Sequence, residues 1–392
     1  MGREPKGSAL DAIQKGDLMP AGGLFSEQDI ADFVRGTDFL SASGGGAPTE
    51  AAALLSDDLN RGLAIKWSEL TELADDALVV STFFSGTIAP EAWDTETMEA
   101  ECGVRREIVR PLVNSVRELE EHLGEEADAI ISVEIGGVNT GHTADAAANL
   151  GKVLLDADYA GRAIPEAQCI TPAIFGESIA PIAATDFYGD VTIVKRAANN
   201  TMAERLGKFI ATASFGHVAC AAIPLRGEIV KRIALPGTLS ESLAIGRAIR
   251  LAREAGQDPV VAIADVLPGV RVVFRGEIAK RTWENRDGYM WGEHEIAPAT
   301  GSDRLRIWFK NENHQSWLND EPFVSSPDII EVVDDQTGEP RVNTDIEVGD
   351  RVAVLVVPRR PQFDNPRGID ALGPRHWGFD LDFRPVESFF PT

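Results

Sequence analysis

The sequence predicts an α/β fold: an N-terminal three-layer α/β/α domain, followed by a β-rich, barrel-like C-terminal domain. In the first half of the chain, short apolar runs alternate with segments of helical spacing, which is typical of a largely parallel sheet covered on both faces. From about residue 270 onward, short strand patterns are separated by polar turns, as in a barrel or sandwich. We predict a tail over 1–22, an α/β/α domain over 23–186 and the β-rich domain with two helices over 187–388.

Local patterns assign the elements of the first domain in order. Ser26, followed by acidic residues, predicts the N-cap of a helix that ends near residue 40. Pro48 is placed for the first position of a second helix, because proline lacks the N–H that this position leaves unpaired. Buried strands are predicted at 77–84, 127–133 and 152–155, and helices at 97–122 and 139–150.

The second domain is predicted to begin with mixed elements and to continue as strands. The mixed elements are a strand at 191–195, a helix at 200–212, a strand pair at 217–223 and 228–234, and a helix at 238–255. The later strands are predicted at 270–277, 305–310, 329–333 and 351–357. The sequence leaves open which domain the two helices pack against.

Charge and cysteine content restrict the class of protein. A net charge of −25 over 392 residues argues against nucleic-acid or membrane partners, because phosphate groups would be repelled. No apolar run approaches the roughly 18 residues that span a bilayer. Cys102, Cys169 and Cys220 are far apart in sequence, which fits a reducing cytoplasm. We therefore expect a cytoplasmic protein and, as for many large acidic α/β chains, a homo-oligomer.

Glycine-rich turns follow several of the predicted elements. They contain Gly44, Gly45 and Gly46 in the first turn and Gly136 and Gly137 in the second, and a third, polar turn covers 155–162. Because glycine has no Cβ, its backbone amide can approach a ligand closely. The turns therefore predict a small polar ligand with anionic or carbonyl oxygens at one sheet edge. They lack the G-x-G-x-x-G and G-x-x-x-x-G-K-[ST] patterns, so NAD and ATP are not expected.

Further motifs follow the first glycine turn in order along the chain. They are Val133-Glu134-Ile135-Gly136-Gly137 with Asn139, Asp156-Ala157-Asp158 followed by Gly161-Arg162-Ala163-Ile164-Pro165-Glu166, Leu235-Pro236-Gly237-Thr238-Leu239 with Gly246-Arg247-Ala248-Ile249, and Gly373-Pro374-Arg375-His376-Trp377-Gly378-Phe379-Asp380. From about residue 24 to 385, this ordered set resembles the S-methyl-thiohydantoin desulfurase family. The resemblance implies the same two-domain fold and a substrate built on a hydantoin or thiohydantoin ring. Ser41-Ala42-Ser43 and Thr140-Gly141-His142 depart from the family's usual turns, which leaves the exact ring open.

Glu134 and its turn are the first candidate for catalysis. Glu134 ends an apolar strand, and burial there would raise its pKa toward the range of a general acid or base. The amides of Gly136 and Gly137, with the helix that starts near Asn139, could bind an oxyanion or a ring carbonyl. The alternative is a structural carboxylate in a tight strand–helix turn that binds nothing.

A second group of candidates lies in the third turn. Asp156 and Asp158 project to the same side if the chain is extended, and could orient a water or hold a metal. Arg162 could form a bidentate contact with a substrate carboxylate, and Glu166 could supply a third acid. The alternatives are a turn or helix cap for the aspartates and an internal salt bridge for Arg162.

Histidine and cysteine candidates complete the site. His142, one turn into a helix, could shuttle a proton or bind a metal, and its alternative is a capping histidine. Cys169 could attack a carbon–sulfur centre, although an inert buried thiol is the common alternative. No zinc signature is present, but a set of His142, Asp156, Asp158 and Glu166 could hold a divalent metal such as zinc if the strand ends converge. The cofactor is otherwise unknown.

From these residues and the resemblance, we expect a hydrolytic enzyme acting on a small hydantoin- or thiohydantoin-like ring, a cyclic amide or thioamide. Water activated by Glu134 or Asp158 would attack the ring, and a protonated His142 or a carboxylic acid would assist the leaving group. The alternative function is a non-catalytic binding or regulatory partner of a hydantoinase/oxoprolinase-type amidohydrolase. A third interpretation is an enzyme that acts on an unrelated cyclic amide.

Overall fold

The computed structural model describes residues 22–46, 48–86, 88 and 95–390. Apart from Gly22, the predicted tail lies outside these residues. Helices and a mixed sheet form the N-terminal part, and an antiparallel sheet forms the C-terminal part. The predicted fold class, an α/β domain followed by a β-rich domain, is confirmed.

The strands of the N-terminal part form a mixed sheet and a separate two-stranded sheet. In chain order they are β1 (Gly23–Leu24), β2 (Ile65–Ser68), β3 (Leu78–Gly86), β4 (Ala129–Ser132), β5 (Val153–Leu155), β6 (Ala157–Asp158), β7 (Ile182–Thr185), β8 (Val191–Val194), β9 (His217–Arg226) and β10 (Leu235–Pro236). Within the described residues the sheet order is β1-β2-β5-β4-β3-β9-β7-β8, and β6 pairs with β10. The parallel arrangement holds for β2, β5, β4 and β3, whereas the other strands join antiparallel.

The first sheet extends beyond the predicted domain boundary. Strand β7 pairs with β8 across residue 186, and β9 lies between β3 and β7. The predicted boundary therefore falls inside a β-hairpin and does not separate the two sheets. The regular alternation of apolar runs and helical segments in the sequence ends there, because the sheet changes from parallel to antiparallel pairing.

Helices cover the first sheet. They are α1 (Glu27–Phe39), α2 (Thr49–Asn60), α3 (Thr95–Cys102), α4 (Pro111–Leu123), α5 (Asn139–Leu150), α6 (Thr171–Phe175), α7 (Asn200–Ala213), α8 (Gly227–Ile233), α9 (Thr238–Glu254), α10 (Pro259–Val266) and, near the C-terminus, α11 (Pro366–Leu372). Helix α9 packs on α1, where Cβ atoms at Gly36 and Gly246 would overlap the carbonyl oxygens of Ser242 and Asp32. Helix α7 packs on β3 and β9, so both helices that the sequence left unplaced, α7 and α9, belong to the N-terminal part. No helix of the described ranges is long and apolar enough to cross a bilayer.

Two predicted elements differ from the structure. The single helix predicted at 97–122 is divided into α3 and α4, because Pro111 is favoured in a first turn and starts a new helix. The strand predicted at 228–234 is α8, in which Val230 and Ile233 are buried three residues apart on one helical face. The Ser26 cap of α1 is confirmed, since its hydroxyl accepts the Asp29 N–H at 3.1 Å.

The C-terminal part is one antiparallel sheet. Its strands are β11 (Arg271–Arg286), β12 (Tyr289–Ala297), β13 (Leu305–Lys310), β14 (Glu312–Leu318), β15 (Glu321–Ser325), β16 (Ile329–Asp334) and β17 (Arg351–Val357). Their order is β15-β14-β13-β12-β11-β17-β16 among the residues described. Ile278, Ile307 and Val354 belong to the apolar core on one face of this sheet.

The first glycine turn is held by the C-terminal sheet. Ala42 and Ser43 have positive φ angles of 54° and 59°, and both donate their N–H groups to the buried carboxylate of Glu331. The Ala42 carbonyl accepts the Asn313 N–H at 2.8 Å, and the Ser43 carbonyl accepts the Asn343 N–H at 2.7 Å. These contacts compensate for the strained backbone and place the glycines that follow between the two sheets.

Candidate functional site

A cavity of about 520 Å³ lies where the carboxyl ends of β3 and β4 meet the first glycine turn, α7 and the start of β14. Its apolar lining includes Phe83, Phe84 and Phe187, and the rings of Phe84 and Phe187 stack with centroids 6.0 Å apart. Its charged lining includes Glu134, Glu204, Lys208 and Glu312, with Glu50 and Arg106. The carboxyl ends of parallel strands are a common place for ligands in α/β sheets. The cavity is therefore the candidate site.

Glu134 lies in this cavity just beyond β4. Its Oε1 accepts a hydrogen bond from Asn139 Nδ2 at 2.5 Å, and its Oε2 accepts the Ile164 N–H at 2.8 Å. Burial raises the pKa of Glu134 to about 7 against the effect of these hydrogen bonds. The carboxyl group is thus fixed in position and close to half-ionised at neutral pH, which suits a general base. The burial expected from the sequence is observed, and the catalytic role stays a prediction.

Glu312, the first residue of β14, is a second carboxyl group in the cavity and was not predicted. Burial, with the negative charge of Glu134, raises the pKa of Glu312 to about 8. Its Oε2 is a buried atom with no hydrogen-bond partner among the described residues. A Cβ at Gly44 would collide with this side chain, so the glycine makes room for the carboxyl group.

Helix α7 brings a buried cation to the same cavity. Lys208 Nζ donates to the Gly86 carbonyl and lies 3.9 Å from Glu204 Oε1. Burial lowers the pKa of Lys208, and the charges of Glu204, Glu312 and Glu134 oppose this shift. Lys208 was not predicted either, because α7 reads from the sequence as an ordinary amphipathic helix. In the cavity the ammonium group can stabilise negative charge on a bound molecule.

His142 lines the cavity as a neutral imidazole. Its Nδ1 lies 2.8 Å from the Val138 carbonyl, which can only accept, so Nδ1 carries the proton and Nε2 is an acceptor. Burial lowers the pKa of His142, and its ring packs edge-on to Phe84 with centroids 5.0 Å apart. The prediction of a protonated His142 as general acid is therefore not supported.

The two glycine turns pack on each other more than on the cavity. The Val138 N–H donates to the Gly45 carbonyl at 3.2 Å, and a Cβ on Gly45 would lie 3.2 Å from Gly136 Cα. The Gly136 N–H donates to Thr140 Oγ1 at 3.0 Å, so it is not available to an oxyanion. Of the five predicted glycines, Gly45 and Gly46 line the cavity, whereas Gly44, Gly136 and Gly137 do not. Close approach of the two backbones explains Gly45, whereas the side chains of Glu312 and Val138 restrict Gly44 and Gly46.

Asp156 and Asp158 do not line the cavity. Asp156 Oδ1 accepts the N–H groups of Leu239 and Ser240, at 2.9 and 3.1 Å, and its Oδ2 accepts the Ser240 hydroxyl. Asp158 Oδ2 accepts the N–H groups of its own turn, from Ala160 and Gly161. Asp156 thus holds the start of α9 and Asp158 holds its turn. The structural alternative fits both aspartates, and a catalytic role for them stays a prediction that this cavity does not support.

Arg162 is also buried away from the cavity lining. Its Nη2 donates to the Asn313 carbonyl at 2.9 Å and its Nε to the Ala163 carbonyl at 3.0 Å. The charges of Glu312 and Glu331 favour its charged form, while burial lowers its pKa. Arg162 was predicted to contact a substrate carboxylate. In the structure it instead joins the N-terminal part of the chain to Asn313 of the C-terminal sheet.

Glu166 belongs to a separate cluster. It pairs with Lys310, and its Oε2 lies 2.9 Å from His376 Nε2. Burial alone would raise the pKa of Glu166, but His376 and Lys310 outweigh it and lower the pKa to about 2. The predicted metal set of His142, Asp156, Asp158 and Glu166 is not brought together. Among the described residues, the group of three with metal-ligand spacing is Glu166, Cys169 and His376.

Comparisons with known proteins give a family and a fold. The model of the S-Me-THD-like N-terminal domain matches residues 28–196, and the model of the S-Me-THD-like C-terminal domain matches residues 198–386. No curated protein matches the chain. An X-ray crystal structure of a protein from Chromobacterium violaceum is similar with a TM-score of 0.74 and 19% identity, over 92% of this chain and 99% of that one. At this identity, the similarity to the crystal structure shows the fold alone.

Proposed function

The chain belongs to the S-Me-THD-like family, and from this premise we propose that it is a hydrolytic enzyme acting on a small thiohydantoin- or hydantoin-like ring. The observation that carries the proposal is the pair of buried carboxyl groups, Glu134 and Glu312, in one cavity with aromatic walls. Desulfuration is the preferred reaction, and opening of a cyclic amide is the related alternative.

The size and lining of the cavity support a small planar substrate. Sites for small ligands are mostly apolar, of roughly 300–1,000 Å³, with a few placed polar groups. The cavity of about 520 Å³ falls in this range. In our proposal the five-membered ring packs against the Phe84 side chain, with its sulfur-bearing carbon facing the two carboxyl groups.

The two carboxyl groups have complementary protonation states near neutral pH. With a pKa of about 7, Glu134 is substantially ionised and can take a proton from water. With a pKa of about 8, Glu312 is mostly protonated and can give one. Environments that separate the ionisation of two acids in one site allow one to act as base and the other as acid.

The proposed reaction begins with attack of water on the carbon that bears sulfur. Glu134 removes one proton from the water as the new carbon–oxygen bond forms, and Lys208 stabilises the negative charge that develops on the adduct. The carbon–sulfur bond then breaks, and the proton of Glu312 passes to the sulfur, which leaves as hydrogen sulfide or as a thiol. The second water proton passes to the departing sulfur of a thione, or to the ring nitrogen of an S-methyl compound, and a ring carbonyl remains. The proton held by Glu134 then returns to Glu312, which restores both groups. Asn139, through its hydrogen bond to Glu134, keeps the base in position.

An assay for released sulfide or thiol tests the proposal. Hydantoins, thiohydantoins and their S-methyl forms are incubated with the wild-type protein, and sulfide, methanethiol and ring-opened products are measured. Glu134→Gln, which keeps the size of the side chain, is expected to lower the turnover rate by about 10²–10⁴-fold, because it removes the base. Asp328→Asn is the matched control, since Asp328 is also buried with a raised pKa of about 6 but lies outside the cavity lining.

Equal turnover by wild-type and Glu134→Gln proteins would overturn the proposed mechanism. A protein inert on every ring in the panel would overturn the enzyme assignment. If that inert protein also purified together with a hydantoinase-type amidohydrolase, the alternative of a non-catalytic partner would be favoured.

A further inference from the structure

We infer that Glu166, Cys169 and His376 form a binding site for a zinc ion, outside the lining of the cavity described above. A carboxylate oxygen, a cysteine sulfur and an imidazole nitrogen come within 4.8 Å of one another here. These are the three ligand types that zinc takes in proteins. The inference does not depend on the proposed reaction, because none of the three residues lines the cavity.

The distances within the cluster are close to those of a zinc site. Zinc–sulfur, zinc–nitrogen and zinc–oxygen bonds of about 2.3, 2.0 and 2.0 Å at tetrahedral angles put sulfur about 3.5 Å from nitrogen and nitrogen about 3.3 Å from oxygen. Cys169 Sγ lies 3.9 Å from His376 Nε2, and Nε2 lies 2.9 Å from Glu166 Oε2. The sulfur and the carboxylate oxygen lie within 4.8 Å of each other, so side-chain shifts of up to about 1 Å would complete the geometry, with the fourth position left for water.

The cluster also has an acceptor that lacks a donor. Gln168 Nε2 donates to Glu166 Oε2, so the Gln168 side-chain amide lies against the Glu166 carboxylate. Gln168 Oε1 is buried and has no hydrogen-bond partner within the described part of the chain. Because zinc-bound water is a strong donor, this oxygen is a suitable partner for the water in the fourth position.

Lys310 is the group that opposes a cation at this position. Its Nζ pairs with Glu166, but it also lies over aromatic rings, 4.0 Å from the ring centre of Tyr289 and 4.9 Å from that of Trp291. These rings can hold the ammonium group when Glu166 binds zinc. A zinc ion with one thiolate and one carboxylate is formally neutral, so the added repulsion of Lys310 is small.

The three ligands come from distant parts of the chain, and one of them is partly exposed to solvent. Glu166 and Cys169 follow β6 in the N-terminal part, whereas His376 follows α11 near the C-terminus. The ion would therefore bind the C-terminal segment to the N-terminal part of the chain. The His376 side chain is 21% exposed, which gives the ion a route from solvent. Cys169 is fully buried.

Metal analysis of the full-length protein tests the site. Protein produced with zinc and desalted is expected to carry about one zinc per chain. Cys169→Ser and His376→Gln are each expected to weaken zinc binding by at least about tenfold, because even the partners of metal ligands typically contribute that much. Cys220→Ser is the matched control, since Cys220 is also a buried free cysteine but is not in the cluster.

Cobalt substitution gives a readout that does not depend on how the variants fold. Zinc-free wild-type protein titrated with Co²⁺ is expected to show the thiolate-to-cobalt charge-transfer absorption, and Cys220→Ser should retain it. Wild-type protein that binds neither metal, or binds cobalt without this absorption, would overturn the inference. Zinc content that is the same in wild-type, Cys169→Ser and His376→Gln proteins would also overturn it.

Discussion

The carboxyl groups of the cavity and those of the third turn are all buried, but only Glu134 and Glu312 line the cavity, whereas Asp156 and Asp158 do not. Asp156 Oδ1 accepts the N–H groups of Leu239 and Ser240, and Asp158 Oδ2 accepts those of Ala160 and Gly161. Asp158 Oδ1 has no hydrogen-bond partner among the described residues, but Asp158 does not line the cavity. In the cavity, Oε2 of the Glu312 carboxyl group has no hydrogen-bond partner among the described residues. Burial raises the pKa in all of these groups, so a raised pKa alone does not distinguish catalytic from structural acids.

The comparison shows which property distinguishes the two regions. Asp156 and Asp158 hold the start of α9 and a tight turn, and they lie outside the cavity lining. Glu134 and Glu312 line the cavity, so each can exchange a proton with a molecule bound there. The predictions below test whether the cavity and the third turn differ in this way.

The largest expected effect is on the acid of the cavity. Glu312→Gln removes the proton donor and is expected to lower turnover of the ring substrate by about 10²–10⁴-fold with the fold preserved. Asp158→Asn is expected to change turnover by less than about fivefold, because Asp158 lies outside the cavity lining. Steady-state rates of the two variants, with circular dichroism to confirm folding, make the comparison. The reverse order of effects would transfer the catalytic role to the third turn.

The second expected effect is a narrow pH optimum. The base Glu134 must be ionised, so the rate falls as pH drops below its pKa of about 7. The acid Glu312 must be protonated, so the rate falls as pH rises above its pKa of about 8. Outside these limits the rate should change by about tenfold per pH unit in a measured pH–rate profile. A profile that is flat from pH 6 to 9 would contradict the assignment of both groups.

The third expected effect comes from a glycine behind the cavity. Gly44→Ala would push the Glu312 side chain out of its position, because the new Cβ collides with it. We expect turnover to fall by about tenfold and the free energy of unfolding to fall by about 1–3 kcal/mol, because the new Cβ collides with the stem as well as the carboxyl group of the buried Glu312. Gly136→Ala is the matched control, since its Cβ would make only ordinary contacts, the nearest at 3.5 Å. Equal rates for Gly44→Ala and wild type would show that the position of Glu312 is unimportant.

The sequence predicted the fold better than the site, for a physical reason. Strands such as β4 and β17 are apolar runs with local signals, and the Ser26 cap of α1 is a local hydrogen bond. The site depends on contacts between distant parts of the chain. Glu134 lies in the predicted turn, but Glu312 and Lys208 reach the cavity only through β14 and α7, which local patterns cannot place.

Buried polar residues explain why β14 in particular was missed. Its first five residues, Glu312 to Ser316, are all polar and all buried, so the strand has neither an apolar run nor an alternating pattern. The same limit applies to the third turn. Two aspartates at spacing two suggest a paired acid site, but the residues that Asp156 holds, Leu239 and Ser240, lie more than 80 positions later in the chain.

The smallest expected effect is on the cap of α9. Asp156→Ala removes the acceptor for two N–H groups and one hydroxyl, and should lower the free energy of unfolding by about 1–2 kcal/mol. Asn199→Ala, which removes the cap of α7, is a comparable control and should cost about 1 kcal/mol. Urea unfolding measures both changes. Because Asp156 lies outside the cavity lining, the folded Asp156→Ala protein should turn over substrate within about twofold of the wild-type rate. A variant with unchanged stability and no activity would show that Asp156 acts on the substrate and that its contacts with α9 are incidental.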